Sequence, residues 1–102
     1  MNKLIKDVLQ WGADKNIIGT NGIGTRYGQA DKVLEEAQET HMAVHTHDLR
    51  EVKDGIGDTV VTLILLADMY GWTLEECLQV AYDVIAKRTG KMVDGVFVKD
   101  KK

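Results

Sequence analysis

Five acidic residues at helical spacing are the part of this sequence best suited to chemistry. They form two groups, Glu36 with Glu39, and Glu51 with Asp54 and Asp58. Side chains three or four residues apart lie on one face of a helix. Two such faces turned toward each other would make an all-oxygen site, the kind that a hard divalent cation such as Mg²⁺ binds. The pattern therefore points to a magnesium enzyme that acts on phosphates.

Helical geometry supports this grouping. Glu36 and Glu39 lie about 60° apart around a helix, and Asp54 and Asp58 lie about 40° apart. Glu35 also shares a face with Glu39, so spacing alone leaves open which of the three glutamates act together.

A solvated helix face is the simpler explanation for either acidic group alone. Asp54 and Asp58, however, stand directly before an apolar run, where a helix enters the core. Gly55 and Gly57 interleave with them, and each glycine costs a helix interior about 1 kcal/mol relative to alanine. Two such losses in one turn suggest the close approach of a backbone or a ligand, with a plain packing notch as the alternative.

Four helices are predicted to position these acids, from the period of the apolar residues. They cover residues 2–18, 29–44, 49–70 and 74–89. A glycine-rich loop is predicted over residues 19–28. The inward side chains expected of the fourth helix are Leu74, Leu78, Ala81, Val84 and Ile85.

Local signals mark several helix ends. Asp48 is a predicted N-cap, and Thr73 is another, in a capping box with Glu76. Gly71 is expected to end the third helix, and Gly90 the fourth. Beyond that glycine, the Asp-Gly pair at residues 94–95 stands between short apolar stretches and predicts a tight turn.

The predicted fold class is therefore all-α, a four-helix bundle with a short extended C-terminal tail. The length of 102 residues indicates a single domain over residues 1–102. The stretch 60–66 is apolar nearly all round and is difficult to cover within one chain. We therefore expect a homodimer or a homotetramer built as a dimer of dimers, with the third helix between subunits.

Composition narrows the possible partners and location. The formal net charge of −3 argues against a stable complex with nucleic acid. The longest apolar stretch, residues 60–67, is too short to span a membrane. Cys77 is the only cysteine and the N-terminus does not resemble a signal peptide. A cytoplasmic location is therefore expected.

Two segments carry a resemblance to a known family. They are KVLEEAQE at residues 32–39 and DGIGDTVV at residues 54–61. Together they resemble the MazG-like nucleoside triphosphate pyrophosphohydrolases of the all-α NTP pyrophosphatase superfamily, whose signature is Glu-Glu-x-x-Glu followed by Glu-x-x-Asp. The resemblance covers most of the chain, from Trp11 to the ending KRTGKMVDGVF at residues 87–97.

This resemblance implies a divalent cation, Mg²⁺ with Mn²⁺ as the alternative, held by carboxylates of two helices. The candidate metal ligands are Glu35, Glu36, Glu39, Glu51, Asp54 and Asp58. Glu36 or Glu39 would also be catalytic, by orienting or deprotonating the attacking water.

The second motif departs from the family pattern. It usually reads Glu-x-Gly-Asp, and Asp58 matches its aspartate. The glutamate would fall at Gly55, which has no side chain to offer. Asp54 or Glu51 is the candidate replacement.

The implied reaction is hydrolysis of ribo- or deoxyribonucleoside triphosphates to a monophosphate and pyrophosphate, in a house-cleaning or nucleotide-pool role. Lys32, one turn before Glu36, is the best candidate to contact the pyrophosphate. A second basic group comprises Lys87, Arg88 and Lys91, for which a helix-dipole role is the alternative. Trp11 is a candidate to stack on the base, against a core or interface role.

Other functions compete with this interpretation. A phosphoribosyl-ATP pyrophosphohydrolase-like enzyme is the nearest enzymatic alternative, and a catalytically silent helical interaction module is the alternative from another class. His41, His45 and His47 invite a zinc interpretation, but a solvated helix end explains them more simply.

Overall fold

The computed structural model describes residues 3–101, which form four helices and one hairpin in that range. The helices are α1 (Lys3–Asp14), α2 (Arg26–His45), α3 (Leu49–Met69) and α4 (Leu74–Ile85), and the strands are β1 (Gly90–Val93) and β2 (Val96–Lys99). The predicted mostly helical fold with an extended tail is therefore confirmed. The predicted first residue of α1, Asn2, and the last residue of the tail, Lys102, lie outside the described residues.

Helix α3 is the centre of the molecule. Helices α1, α2 and α4 each pack on it, and α2 and α3 form the longest contact. Its buried side chains Ile64, Leu65 and Ala67 make most of the core, together with Ile18 and Ala43.

Helix α2 begins three residues earlier than predicted. The hydroxyl of Thr25 accepts a hydrogen bond from the Gly28 amide at 3.0 Å, which makes Thr25 the N-cap. A capping threonine satisfies one of the free N–H groups of the first turn, so the helix starts directly after it. The predicted loop over residues 19–28 is shortened accordingly.

The predicted ends of α1 and α4 are also corrected. Helix α1 stops at Asp14 because Asn16 has a positive φ of 61° and turns the chain, which brings Ile18 into the core. Helix α4 stops at Ile85 because Thr89 belongs to the base of the hairpin, where its hydroxyl and carbonyl bond with Asp100. Gly90 opens β1 rather than ending α4.

The remaining local predictions are confirmed. Asp48 caps α3 by accepting from the Glu51 amide at 3.2 Å, and Gly71 follows α3 with a φ of +80°. Thr73 and Glu76 form the reciprocal capping box.

The hairpin turns at the predicted Asp-Gly pair. Val93 pairs with Val96, and the two residues between them have positive φ values, 50° and 86°. Two such residues define a type I′ turn, which matches the twist of antiparallel strands. None of the helices within residues 3–101 combines the length and apolarity that a bilayer crossing requires.

The predicted inward stripe of α4 is wrong for the single chain. Helix α4 has no buried residue, and Leu78, Val84 and Ile85 are each more than half exposed. The stripe has helical period, but α4 contacts only α3 among the elements of residues 3–101.

Candidate functional site

Three glutamates of α2 form a carboxylate cluster. Glu35, Glu36 and Glu39 each place a carboxylate oxygen within 4.8 Å of the others. The Glu36 side chain is only 15% exposed, whereas the Glu35 side chain is 51% exposed. Glu36 is therefore the member of the cluster that is most shielded from water.

Lys32 is the cation beside this cluster. Its Nζ donates to Glu35 Oε2 at 3.0 Å and lies 4.0 Å from Glu36 Oε2. The hydrogen bond with Glu35 and the negative charge of that carboxylate raise the pKa of Lys32. Lys32 therefore stays positive at the edge of an acidic group, one helical turn before Glu36.

The surroundings of Glu36 disfavour its negative charge. Removal from water raises the pKa of the Glu36 carboxyl, and the charges of Glu39 and then Asp58 raise it further. Lys32 opposes this only in part. Crowded, partly desolvated carboxylates need a positive partner, and an all-oxygen donor set suits a hard divalent cation. The residues present therefore fit such an ion.

Asp58 brings α3 into the site. It lines a cavity of about 480 Å³ that also includes Glu36 and Lys32 from α2 and Trp11 from α1. Pockets for small ligands commonly lie between about 300 and 1,000 Å³. The fold thus gathers the predicted base-stacking residue, the predicted phosphate ligand and two predicted metal ligands around one cavity.

The other acids of α3 lie elsewhere. Asp54 lines a larger groove of about 910 Å³ between α1 and α3, which we call the α1–α3 groove, and Asp58 lines this groove too. Glu51 is exposed in the first turn of α3 and lines neither space. Of the three acids, only Asp58 lines both the cavity beside Glu36 and the α1–α3 groove.

Gly55 is a packing notch where α2 and α3 cross. A Cβ at this position would overlap the hydroxyl of Thr40. That hydroxyl donates to the Glu36 carbonyl at 2.8 Å and lies 3.5 Å from the hydroxyl of Thr59. The space next to position 55 is therefore filled by Thr40, which explains why a glycine stands here.

The second glycine of the motif has a different environment. A Cβ at Gly57 would meet no atom within 4 Å, and the residue lines the α1–α3 groove. The prediction of a close approach is therefore confirmed at Gly55 and wrong at Gly57.

The second basic group is not near the carboxylates of its own chain. Lys87 and Arg88 line a separate cavity of about 650 Å³ at the base of the hairpin, with Thr89 and Asp100. Lys91 lies on β1. Within residues 3–101, Lys32 is the basic residue that lines the cavity beside Glu36.

Two residues of the cavity wall have no place in the motif. Gln29 is a buried polar residue whose amide donates to the Thr62 carbonyl at 3.1 Å, and Thr25 caps α2 at the cavity edge. Gln29 stands seven residues before Glu36, which puts both on one helix face. That spacing is the sequence signal that could have identified Gln29 as a residue of the cavity wall.

Two of the three histidines form an exposed pair at the end of α2. His41 and His45 are exposed, with their Nε2 atoms 3.2 Å apart. Among the described residues, the only group of three or more candidate ligands is the glutamate cluster of α2.

Comparison with known proteins defines the class to which this fold and site belong. The family model for the MazG nucleotide pyrophosphohydrolase domain matches residues 28–93, which contain the carboxylate cluster, Asp58 and β1. The chain belongs to this family, and membership supports a hydrolase acting on phosphoric anhydrides. Neither a curated protein nor a solved structure gave a significant match.

Proposed function

We propose that this protein hydrolyses nucleoside triphosphates, ribo- or deoxyribo-, to the monophosphate and pyrophosphate with Mg²⁺, or with Mn²⁺ in its place. The observation that carries the proposal is the shielded Glu36, crowded by Glu39 and Asp58 beside a cavity that also contains Lys32. The family match supports this class of reaction.

The carboxylates of Glu36, Glu39 and Asp58 would hold the ion, with Glu35 at the edge of the cluster. When bound, the ion offsets negative charge on the phosphate oxygens as the anhydride bond breaks. Asp54 is the preferred candidate for the ligand place that falls at Gly55. It shares the α1–α3 groove with Asp58, one turn away, whereas Glu51 lines neither cavity.

The chain's own residues would do the remaining work. Glu36 or Glu39 would orient the attacking water and accept its proton. Lys32 would contact the departing pyrophosphate with the Nζ that now lies 3.0 Å from Glu35. Trp11, about half exposed on the cavity wall, offers a face on which a base can stack, and Gln29 offers an amide.

We also propose how the enzyme assembles and where it acts. It is a homodimer or homotetramer in the cytoplasm that acts on the nucleotide pool. Lys87, Arg88 and Lys91 line no part of the site in their own chain, so a role for them in substrate binding requires another subunit.

The test is product analysis with each NTP, each dNTP and phosphoribosyl-ATP, in Mg²⁺ and in EDTA. We expect monophosphate and pyrophosphate that disappear with EDTA. Glu39→Gln and Asp58→Asn should each lower kcat/KM by at least roughly a hundredfold, the upper end of what even outer-shell metal partners cost. Asp14→Asn removes the same charge from an exposed position on α1 and should leave the rate unchanged.

The outcomes separate the alternatives. Turnover that survives EDTA or both site substitutions would overturn the metal site. No turnover of any triphosphate would instead favour the silent interaction module, and turnover of phosphoribosyl-ATP alone would favour the related enzyme. Asp54→Asn compared with Glu51→Gln shows which acid replaces the ligand expected at position 55.

A further inference from the structure

The chain exposes more surface than a compact protein of its size. Its accessible surface is 8230 Å², whereas a compact monomer of 11.4 kDa exposes about 5,800 Å². Its radius of gyration is 16.0 Å, against about 13 Å for a compact domain of this length. The excess surface, about 2,400 Å², is within the range that one subunit contributes to a large obligate interface.

The last quarter of the chain is poorly covered by the rest of the described residues. We call α4 and the hairpin, residues 74–99, the C-terminal arm. Within residues 3–101, α4 packs only on α3, and the hairpin packs on no helix. The arm carries apolar side chains that are more than half exposed, among them Val80, Tyr82, Met92, Val96 and Phe97. Because a lone two-stranded hairpin is marginally stable in water, the arm needs a surface to pack on.

The α1–α3 groove is a suitable docking surface for the C-terminal arm. Its walls are mainly apolar, formed by Leu4, Val8, Val60, Val61 and Ile64. Leu4 is 70% exposed although it lies on the apolar side of α1. None of the residues that line this groove comes from the arm of the same chain. The molecule therefore has an apolar projection and an apolar concavity that do not fill each other.

The exposed area favours a second copy as the occupant. Charge does not select it, because residues 74–99 carry four basic and four acidic side chains, and the groove is lined by Arg50 and Lys53 as well as Asp54 and Asp58. A second copy supplies one apolar arm for each groove and one groove for each arm, so a single contact made twice covers both surfaces of both chains. The excess surface of about 2,400 Å² per chain is what a large obligate interface of this kind buries.

We propose that the C-terminal arm of each chain docks into the α1–α3 groove of a second copy, so that two chains exchange arms reciprocally. Such an exchange is closed by a two-fold axis, which covers both arms and both grooves at once. This rests on the homo-oligomer named in the proposed function and specifies its interface. It does not depend on the reaction, because mass and cross-links are measured without nucleotide.

Cross-linking between isotopically distinct copies tests the docking directly. A photo-cross-linking amino acid replaces Phe97 in chains grown in ¹⁵N medium, and these are mixed with unlabelled chains. We expect heavy–light cross-links from position 97 to peptides containing Leu4 or Val60. Cross-links only within one chain, or only to surfaces outside the groove, would overturn the proposal.

Single substitutions test the same interface by mass. Phe97→Asp on the arm and Leu4→Asp in the groove should each convert the oligomer to monomers in light scattering at micromolar concentration. Ile23→Asp is the matched control, because Ile23 is 84% exposed and belongs to neither surface. Circular dichroism checks that each variant keeps its helices.

Each result bears on the proposal. A wild-type protein that is monomeric, or an oligomer that survives both substitutions, would refute it. If a substituted chain does not fold, the cross-linking result decides. Loss of catalysis in Glu39→Gln, which lies on α2 outside the groove, with an unchanged mass would concern the reaction alone, so the two proposals fail separately.

Discussion

The carboxylate of Glu36 is the side chain whose surroundings most need a cation. It is shielded by the fold, and the charges of Glu39 and Asp58 act on it together. Lys32 is the nearest positive group, but its hydrogen bond goes to Glu35. The fold therefore keeps an unfavourable charge at this point. Such a local cost is common where a binding site has been built.

This cost predicts that Glu36→Gln stabilises the metal-free protein at neutral pH. The pKa of Glu36 is raised in the folded state, so the native chain holds the proton more tightly than the unfolded chain. Its contribution to stability is present at pH values below the ordinary glutamate pKa. It is lost as pH rises through the folded value. Glutamine has no ionisable carboxyl group, so the variant does not lose this stability as pH rises.

Thermal unfolding in EDTA measures this effect. The increase in Tm of Glu36→Gln over wild type should be largest at pH 7 and should vanish in acid, where the wild-type carboxyl is protonated. Added Mg²⁺ should raise the Tm of wild type more than that of the variant. A variant less stable than wild type at pH 7 in EDTA would contradict the argument. Asp14→Asn serves as the exposed control.

Gly55 and Gly57 give a second prediction at single residues. Gly55→Ala should destabilise the protein by about 1–3 kcal/mol, because its methyl group overlaps the Thr40 hydroxyl. Gly57→Ala meets no atom within 4 Å and should stabilise the helix by up to about 1 kcal/mol. Urea unfolding of both variants compares them directly, and Thr40→Ala combined with Gly55→Ala should recover part of the loss because it removes the overlapping hydroxyl. Equal changes in the free energy of unfolding for the two variants would refute a packing notch at Gly55.

At the scale of the elements, the chain was most predictable where structure depends on neighbours in sequence. The capping box at Thr73, the cap at Asp48 and the Asp-Gly turn are satisfied by groups a few residues away, so local sequence identifies them. Which helix faces are covered depends on the whole arrangement. For that reason the stripe of α4 and the contact between Gly55 and Thr40 were not predictable from spacing.

In the candidate site, too, some features depend on sequence neighbours and others on how the helices pack. The cluster of Glu35, Glu36 and Glu39 lies within one helix, and helical spacing was enough to group it. The place of Asp58 beside Glu36 depends on how α2 crosses α3. The basic residues Lys87 and Arg88 follow α4 away from the cavity, which no local pattern indicates.

The N-cap of α2 gives a prediction at the scale of a secondary-structure element. Thr25 caps the helix that carries Lys32 and Glu36, and it also lines the cavity. Thr25→Ala should cost about 1 kcal/mol of stability through the lost hydrogen bond to the Gly28 amide. Thr25→Ser keeps the hydroxyl and should be close to wild type. Urea unfolding distinguishes them, and an alanine variant as stable as serine would show that the cap contributes little.

For the whole molecule, the excess surface connects stability with assembly. If two copies cover each other's arms and grooves, unfolding also separates them, so mass action makes Tm rise with protein concentration. We expect this dependence for wild type and for the Ile23→Asp control. Phe97→Asp should lower Tm and remove the dependence, because its chains unfold singly. Differential scanning calorimetry over a hundredfold range of concentration measures it. A wild-type Tm that stays constant over that range would mean that the arm is stable without a partner, even though α4 has no buried residue and the hairpin packs on no helix of its own chain within residues 3–101.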